Sequence, residues 1–203
     1  MNDQIAAAYG AARTFEDYRS GLRVHAAAFN KVYDRLLFVL DLAAEVAPLG
    51  ESCLLVLTED FCVDSALSLP LIARLVEASP RAELRIASRN SHRQLANQFP
   101  GRGGVSRLPT VLFLDRQHNV QGYWSERSSQ DQLWMNAFLA HDPMPEMIVR
   151  DGLPAPVLAA WMERRLTAQI PFFEAMGWRF VRDELVSIAK AAGRGSMGAQ
   201  TRS

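Results

Sequence analysis

A strand that breaks directly into a helix constrains this chain more than any other feature. Leu54 to Leu57 is an uninterrupted apolar run, as a strand buried on both faces requires. Leu67, Leu71 and Leu75 then recur four apart, which is helical spacing. Between them lies Thr58-Glu-Asp-Phe-Cys-Val-Asp-Ser65. Cys62 therefore falls where the strand turns into the helix, at a helix N-terminus. Unpaired backbone N–H groups and the positive end of the dipole favour an anion there. A thiolate is such an anion, so the position is expected to lower the thiol pKa and raise its reactivity. Ser65 completes a C-x-x-S spacing, one atom type away from a redox C-x-x-C.

The 203 residues suit one domain with extensions. Lys plus Arg and Asp plus Glu both equal 22, which argues against a dominant nucleic-acid surface. No apolar run approaches the roughly 20 residues of a membrane span. The N-terminal segment has neither a basic start nor a continuous apolar core, so no secretory signal is expected. With only two cysteines, a reducing cytoplasmic setting is expected. Cys53 and Cys62 are an improbable disulfide, because about nine residues of strand at ~3.3 Å each would hold them apart. Cys53 reads as an inert core thiol.

Thr14 with Asp17 resembles a capping box opening a short helix that stops near Gly21. Phe29, Val32, Tyr33, Leu36, Leu40 and Ala43 share one face of a helix expected over 24–46, ended by Pro48 and Gly50. His25 at its start reads as a surface histidine. A strand is expected over 52–58 and a helix over 62–78, kinked at Pro70. A second strand is expected over 83–87. Asn90 or Ser91 caps a short helix reaching Phe99. Gly101, Gly103 and Gly104 read as loop, since no phosphate-binding pattern follows them. Residues 105–115 and 120–124 read as a hairpin around Arg116-Gln-His-Asn119, with solvated His118 at its tip. A helix over 129–140 completes a β-α-β-α-β-β-α order. Two further helices follow, over 154–169 and 171–191, with Pro171 in the first turn of the second. Phe172, Phe173, Met176, Phe180 and Leu185 make a stripe on it that either packs on the domain or forms a homodimer surface. Residues 193–203 read as a disordered tail.

That order, and the residues within it, resemble the thioredoxin family over about residues 50–140. In those proteins a C-x-x-C opens the helix after a central strand, and a helix proline stands eight residues after the first cysteine, as Pro70 does after Cys62. A cis-proline followed by threonine begins the next antiparallel strand, as in Leu108-Pro109-Thr110. The chain is similar in particular to bacterial members with a T-E-D-W-C-x-D-C motif. It departs from that motif at Phe61 for Trp, at Val63 in the variable place and at Ser65 for the second Cys. The resemblance implies a thioredoxin-like α/β fold: a central four-stranded mixed sheet flanked by helices over 50–141. Residues 1–49 and 142–192 are then N-terminal and C-terminal helical extensions. The N-terminal helices are expected to stand in for the first β-α unit.

The resemblance also implies a site. Cys62 is its nucleophile, Ser65 a hydrogen-bond donor to it, and Phe61, Val63, Leu108, Pro109 and Thr110 the substrate platform. A dithiol member resolves its mixed disulfide with the second cysteine. Ser65 cannot, so release needs an external thiol, glutathione or another low-molecular-weight thiol. Val56 stands where thioredoxins keep a buried carboxylate. Glu59, Asp60 and Asp64 oppose the helix dipole at Cys62. Two readings follow: a monothiol protein exchanging mixed disulfides with protein thiols, or a thioredoxin-fold binding module without catalysis. No bound cofactor, metal, nucleic acid or membrane is expected.

Overall fold

A computed structural model of the protein describes residues 1–37, 49, 51–79, 81–151 and 153–200, with side chains to 192. Within it β1 (Cys53–Thr58), β2 (Glu83–Ser88), β3 (Thr110–Leu114) and β4 (Val120–Ser125) form one sheet in the order β2-β1-β3-β4. β1 runs parallel to β2, and β3 is antiparallel to both β1 and β4. The apolar run becomes the sheet's interior because every residue of β1 is buried. Its side chains alternate between two faces, as the period of a strand dictates. Leu54 and Val56 enter one apolar cluster, while Cys53, Leu55 and Leu57 enter the other.

The two faces are covered unequally. On the Leu55 side lie α1 (Asn2–Ala11), through Ile5 and Ala8, and α5 (Arg93–Ala96), through Leu95. The Val56 side carries α2 (Phe15–Ser20), α3 (Ala26–Leu36) and α4 (Val63–Glu77). It also carries α6 (Ser129–His141), α7 (Pro156–Phe172) and α8 (Trp178–Gln200). This four-stranded mixed sheet flanked by helices, with a C-terminal helical extension, is the thioredoxin-like α/β fold expected from the sequence.

Among the described residues no strand precedes β1. Arg13 alone bridges the free edge of β2, exchanging both backbone hydrogen bonds with Ile86 at 2.9 Å. Thr14 caps α2, accepting from the Asp17 N–H at 3.1 Å, and the helix stops at Gly21. α3 buries Phe29, Val32, Tyr33 and Leu36. Leu40, Ala43, Pro48 and Gly50 lie outside the described residues. Pro70 sits within α4, as its position eight after Cys62 suggests.

Four expectations need correction. The stretch 105–109 joins no strand, since β3 starts only at Thr110. α5 is capped by neither Asn90 nor Ser91; its N-cap is His92, without a side-chain bond. Pro171 does not start a new helix. It lies on the exposed side of α7, the ladder resumes with the Phe173 N–H on the Gln169 carbonyl, and the turn widens into a π segment, Phe173–Gly177. α8 runs on to Gln200, through residues read as tail, extending from the helix-favouring Ala191 and Ala192.

The aromatic stripe is spent mainly on the domain. Phe173 and Leu185 are buried, Phe172 stacks on Trp134, and Met176 stays 46% exposed. No helix of the described residues is long and apolar enough to cross a membrane.

Candidate functional site

Cys62 is the N-cap of α4. Its N–H donates to the Glu59 carbonyl at 3.1 Å, closing the turn out of β1, and its carbonyl accepts the first helical bond from Ala66. That is the position the sequence assigns it, but the chemistry differs. The residue is 8% exposed. Burial, then the charge of Asp64, push the thiol up to about 11, against the opposing effects of Ser65 and Arg165. The sequence leaves the balance between helix end and flanking carboxylates open, and here it falls on the side of a raised pKa, with desolvation of the thiolate as the largest cause.

The three neighbouring carboxylates do not act alike. Glu59 turns away to accept from the Ser88 hydroxyl and the Asn90 N–H, both at 2.8 Å. Asp60 accepts from Arg23 at 3.4 Å. Asp64 alone is buried beside Cys62, held by Arg127 at 2.8 Å and by Arg165. Burial disfavours its ionisation, yet Arg165 and Arg127 outweigh burial and keep the carboxyl below the usual range. Arg127 also meets Glu126 at 2.7 Å. Local sequence gives no sign of this network. The arginines stand 63 and 101 residues from Asp64 and meet it only because the turn before α6 and the helix α7 come against α4.

His25, expected at the surface, lies in the interior instead. It is buried, with φ 58°, and its ring lies 2.8 Å from Glu163 and 3.2 Å from the Phe61 carbonyl. It thus fixes the residue before Cys62 from a distant helix start. At the hairpin tip His118 is half-buried and packs on the Tyr9 ring, 4.6 Å between centroids.

Ser65 is buried and its Oγ lies 2.5 Å from the Thr58 Oγ1. Its hydroxyl and backbone both lower the Cys62 pKa, against the effect of burial. The Leu108–Pro109 bond is cis. Phe61, Cys62, Val63 and Leu108 come together on the wall of one groove of about 800 Å³. Ser65, Pro109 and Thr110 lie behind that wall. Thr110 is fully buried and donates to the Arg107 carbonyl at 2.8 Å, bracing the loop that carries Leu108. Val56 is fully buried between helices and sheet, so the place of a thioredoxin carboxylate is dry apolar core. Cys53 is a free, buried thiol at the opposite end of β1.

A cysteine at a helix start shares its groove with the residue before a cis X-Pro bond at the head of an antiparallel strand, within a thioredoxin-like fold. The chain belongs to the thioredoxin family: a family model described as Thioredoxin matches residues 12–142. Among solved structures it is similar to a protein of unknown function, PA1234 from Pseudomonas aeruginosa. Identity is 21%, the TM-score is 0.60, and 92% of this chain and 97% of that one are covered. It is also similar to an HIV epitope-scaffold, at 20% identity and a TM-score of 0.55, covering 82% and 97%. Both likenesses concern the fold. No curated protein matches the chain significantly. At family level the fold supports either thiol–disulfide exchange or a binding module acting on protein substrates.

Proposed function

We propose that the chain is a thioredoxin-fold binding protein that holds an extended protein segment in the groove beside Cys62. The observation that carries this reading is the state of Cys62, a buried thiol pushed up to about 11 and so neutral near pH 7. Exchange needs a thiolate. The groove itself suits a peptide. Leu108 lines it just before the cis bond, and among the described residues no backbone–backbone hydrogen bond engages its N–H or C=O. An added strand can pair there.

One observation favours the monothiol reading: Ser65 lowers the Cys62 pKa through its side chain and its backbone, which favours an anion. In that reaction the Cys62 thiolate attacks one sulfur of glutathione disulfide, the old S–S bond breaks, and a glutathione thiolate leaves. Only an external thiol then frees Cys62. Mass spectrometry of Cys53→Ala protein after exposure to glutathione disulfide at neutral pH separates the two. The binding reading expects no adduct on Cys62 and unchanged partner binding in Cys62→Ser. An adduct that forms readily, with partner binding lost in Cys62→Ser, refutes it.

A further inference from the structure

We infer that the groove selects an extended acidic segment whose side chains alternate between acidic and apolar; this rests on the peptide-binding reading above. The two lips of the groove are chemically opposite. One is basic: Arg89 follows β2, Arg93 lies in α5, and Arg102 and Arg107 come from the loop leading to the cis bond. Arg107 reaches Glu126 at 3.9 Å. Arg89, Arg93 and Arg102 pair with no carboxylate among the described residues. The Arg89 Nε is buried without a hydrogen-bond partner. Arg102 touches only a backbone carbonyl, that of Arg127, at 3.4 Å. The groove's own carboxylates, Asp64 and Glu126, are already committed to Arg127 and Arg165. A chain of zero net charge thus directs uncompensated positive charge into one groove. Its charge complement is acidic.

The other lip is apolar. Met135 on α6, Met144 and Met147 beyond it and Met162 on α7 bring four of the seven methionines to the groove. Met144 and Met147 are 48% and 54% exposed. Unbranched thioethers repack around side chains of differing shape, so this lip favours apolar character over one fixed residue.

The lips rise from opposite faces of the sheet. α5 covers the face that holds Leu55, and α6 and α7 cover the face that holds Val56. An extended chain between them sends successive side chains to opposite sides. Alternating acidic and apolar residues would then satisfy both lips while the backbone pairs with Leu108.

The test uses the full chain and three fluorescein-labelled peptides, alternating Glu with Leu, Gln with Leu and Lys with Leu, read by anisotropy at low and physiological salt. The expected order is Glu–Leu first, by at least about tenfold over Gln–Leu, with Lys–Leu weakest and the Glu–Leu affinity falling with salt. Arg93→Glu with Arg102→Glu should weaken Glu–Leu about tenfold and spare Gln–Leu. Met144→Ser with Met147→Ser should weaken both. All four substituted residues are exposed, so the fold is not at stake. If Gln–Leu binds as tightly as Glu–Leu, the acidic class is wrong while the peptide-binding reading stands. If no peptide binds, the peptide-binding reading itself fails. Calorimetric binding of reduced glutathione without any peptide binding would put a small anionic thiol in the groove and overturn both.

Discussion

Asp64→Asn tests how the site is held together. The carboxylate accepts from Arg127 Nε at 3.1 Å, from Arg127 Nη2 at 2.8 Å and from Arg165. Arg127 keeps Glu126 and Gln132 after the change. Arg165 keeps no carboxylate among the described residues, although its side chain is only 7% exposed. Removing one partner of a buried ion pair leaves an uncompensated charge, at a cost of about 3–5 kcal/mol. With a urea slope near ~2–3 kcal/mol/M, the unfolding midpoint should fall by roughly 1–2.5 M. Intrinsic fluorescence reports it, because Trp161 is buried on α7, the helix that Asp64 holds through Arg165. Adding Arg165→Met should recover much of the loss by removing the stranded charge. A loss under about 1 kcal/mol, or no recovery in the double variant, would show that the ion pairs do not fasten α7 to α4.

Three further outcomes follow from the same surroundings. Burial holds the Asp131 carboxyl up at about 6, above the ~3.9 of an unfolded chain. The folded state keeps this proton longer, so its stabilising contribution is full below about pH 4 and is lost as pH rises through about 6. Asp131→Asn should flatten that decline in urea midpoints taken across pH 4 to 7; an unchanged slope would assign it elsewhere. His25→Ala strips the Phe61 carbonyl of a buried partner and should cost about 1–3 kcal/mol by the same assay, where a neutral result would mean the ring merely fills space. Ser65→Ala removes a bond that lowers the Cys62 pKa, so the alkylation profile should move to still higher pH, and a downward shift would contradict the assigned role.

What was legible in the sequence was what adjacent residues decide together. The Leu54–Leu57 run, the leucines of α4, the Thr14 cap and the Leu108-Pro109-Thr110 entry each carry a local period or turn chemistry, and each forms. The placement of Cys62 at the helix start came from the same logic. Its ionisation did not, because burial is a property of what packs over the helix. Arg127 arrives from the turn before α6 and Arg165 from α7, His25 comes from the start of α3, and no spacing around Asp64 or Phe61 records them. Pro171 misled for a related reason: an exposed proline whose missing N–H falls just before a wide turn need not end a helix.

The proposed function stands or falls with Cys62 as a neutral, buried thiol in a binding groove. Its most direct test is the alkylation rate of Cys62 against pH in a Cys53→Ala background. A midpoint near 11 is expected. At neutral pH the smaller thiolate fraction, partly offset by greater nucleophilicity, should make alkylation at least roughly twentyfold slower than for a free thiol of pKa ~8.5. A midpoint at or below ~8.5 would refute a neutral Cys62 and restore it as a working nucleophile.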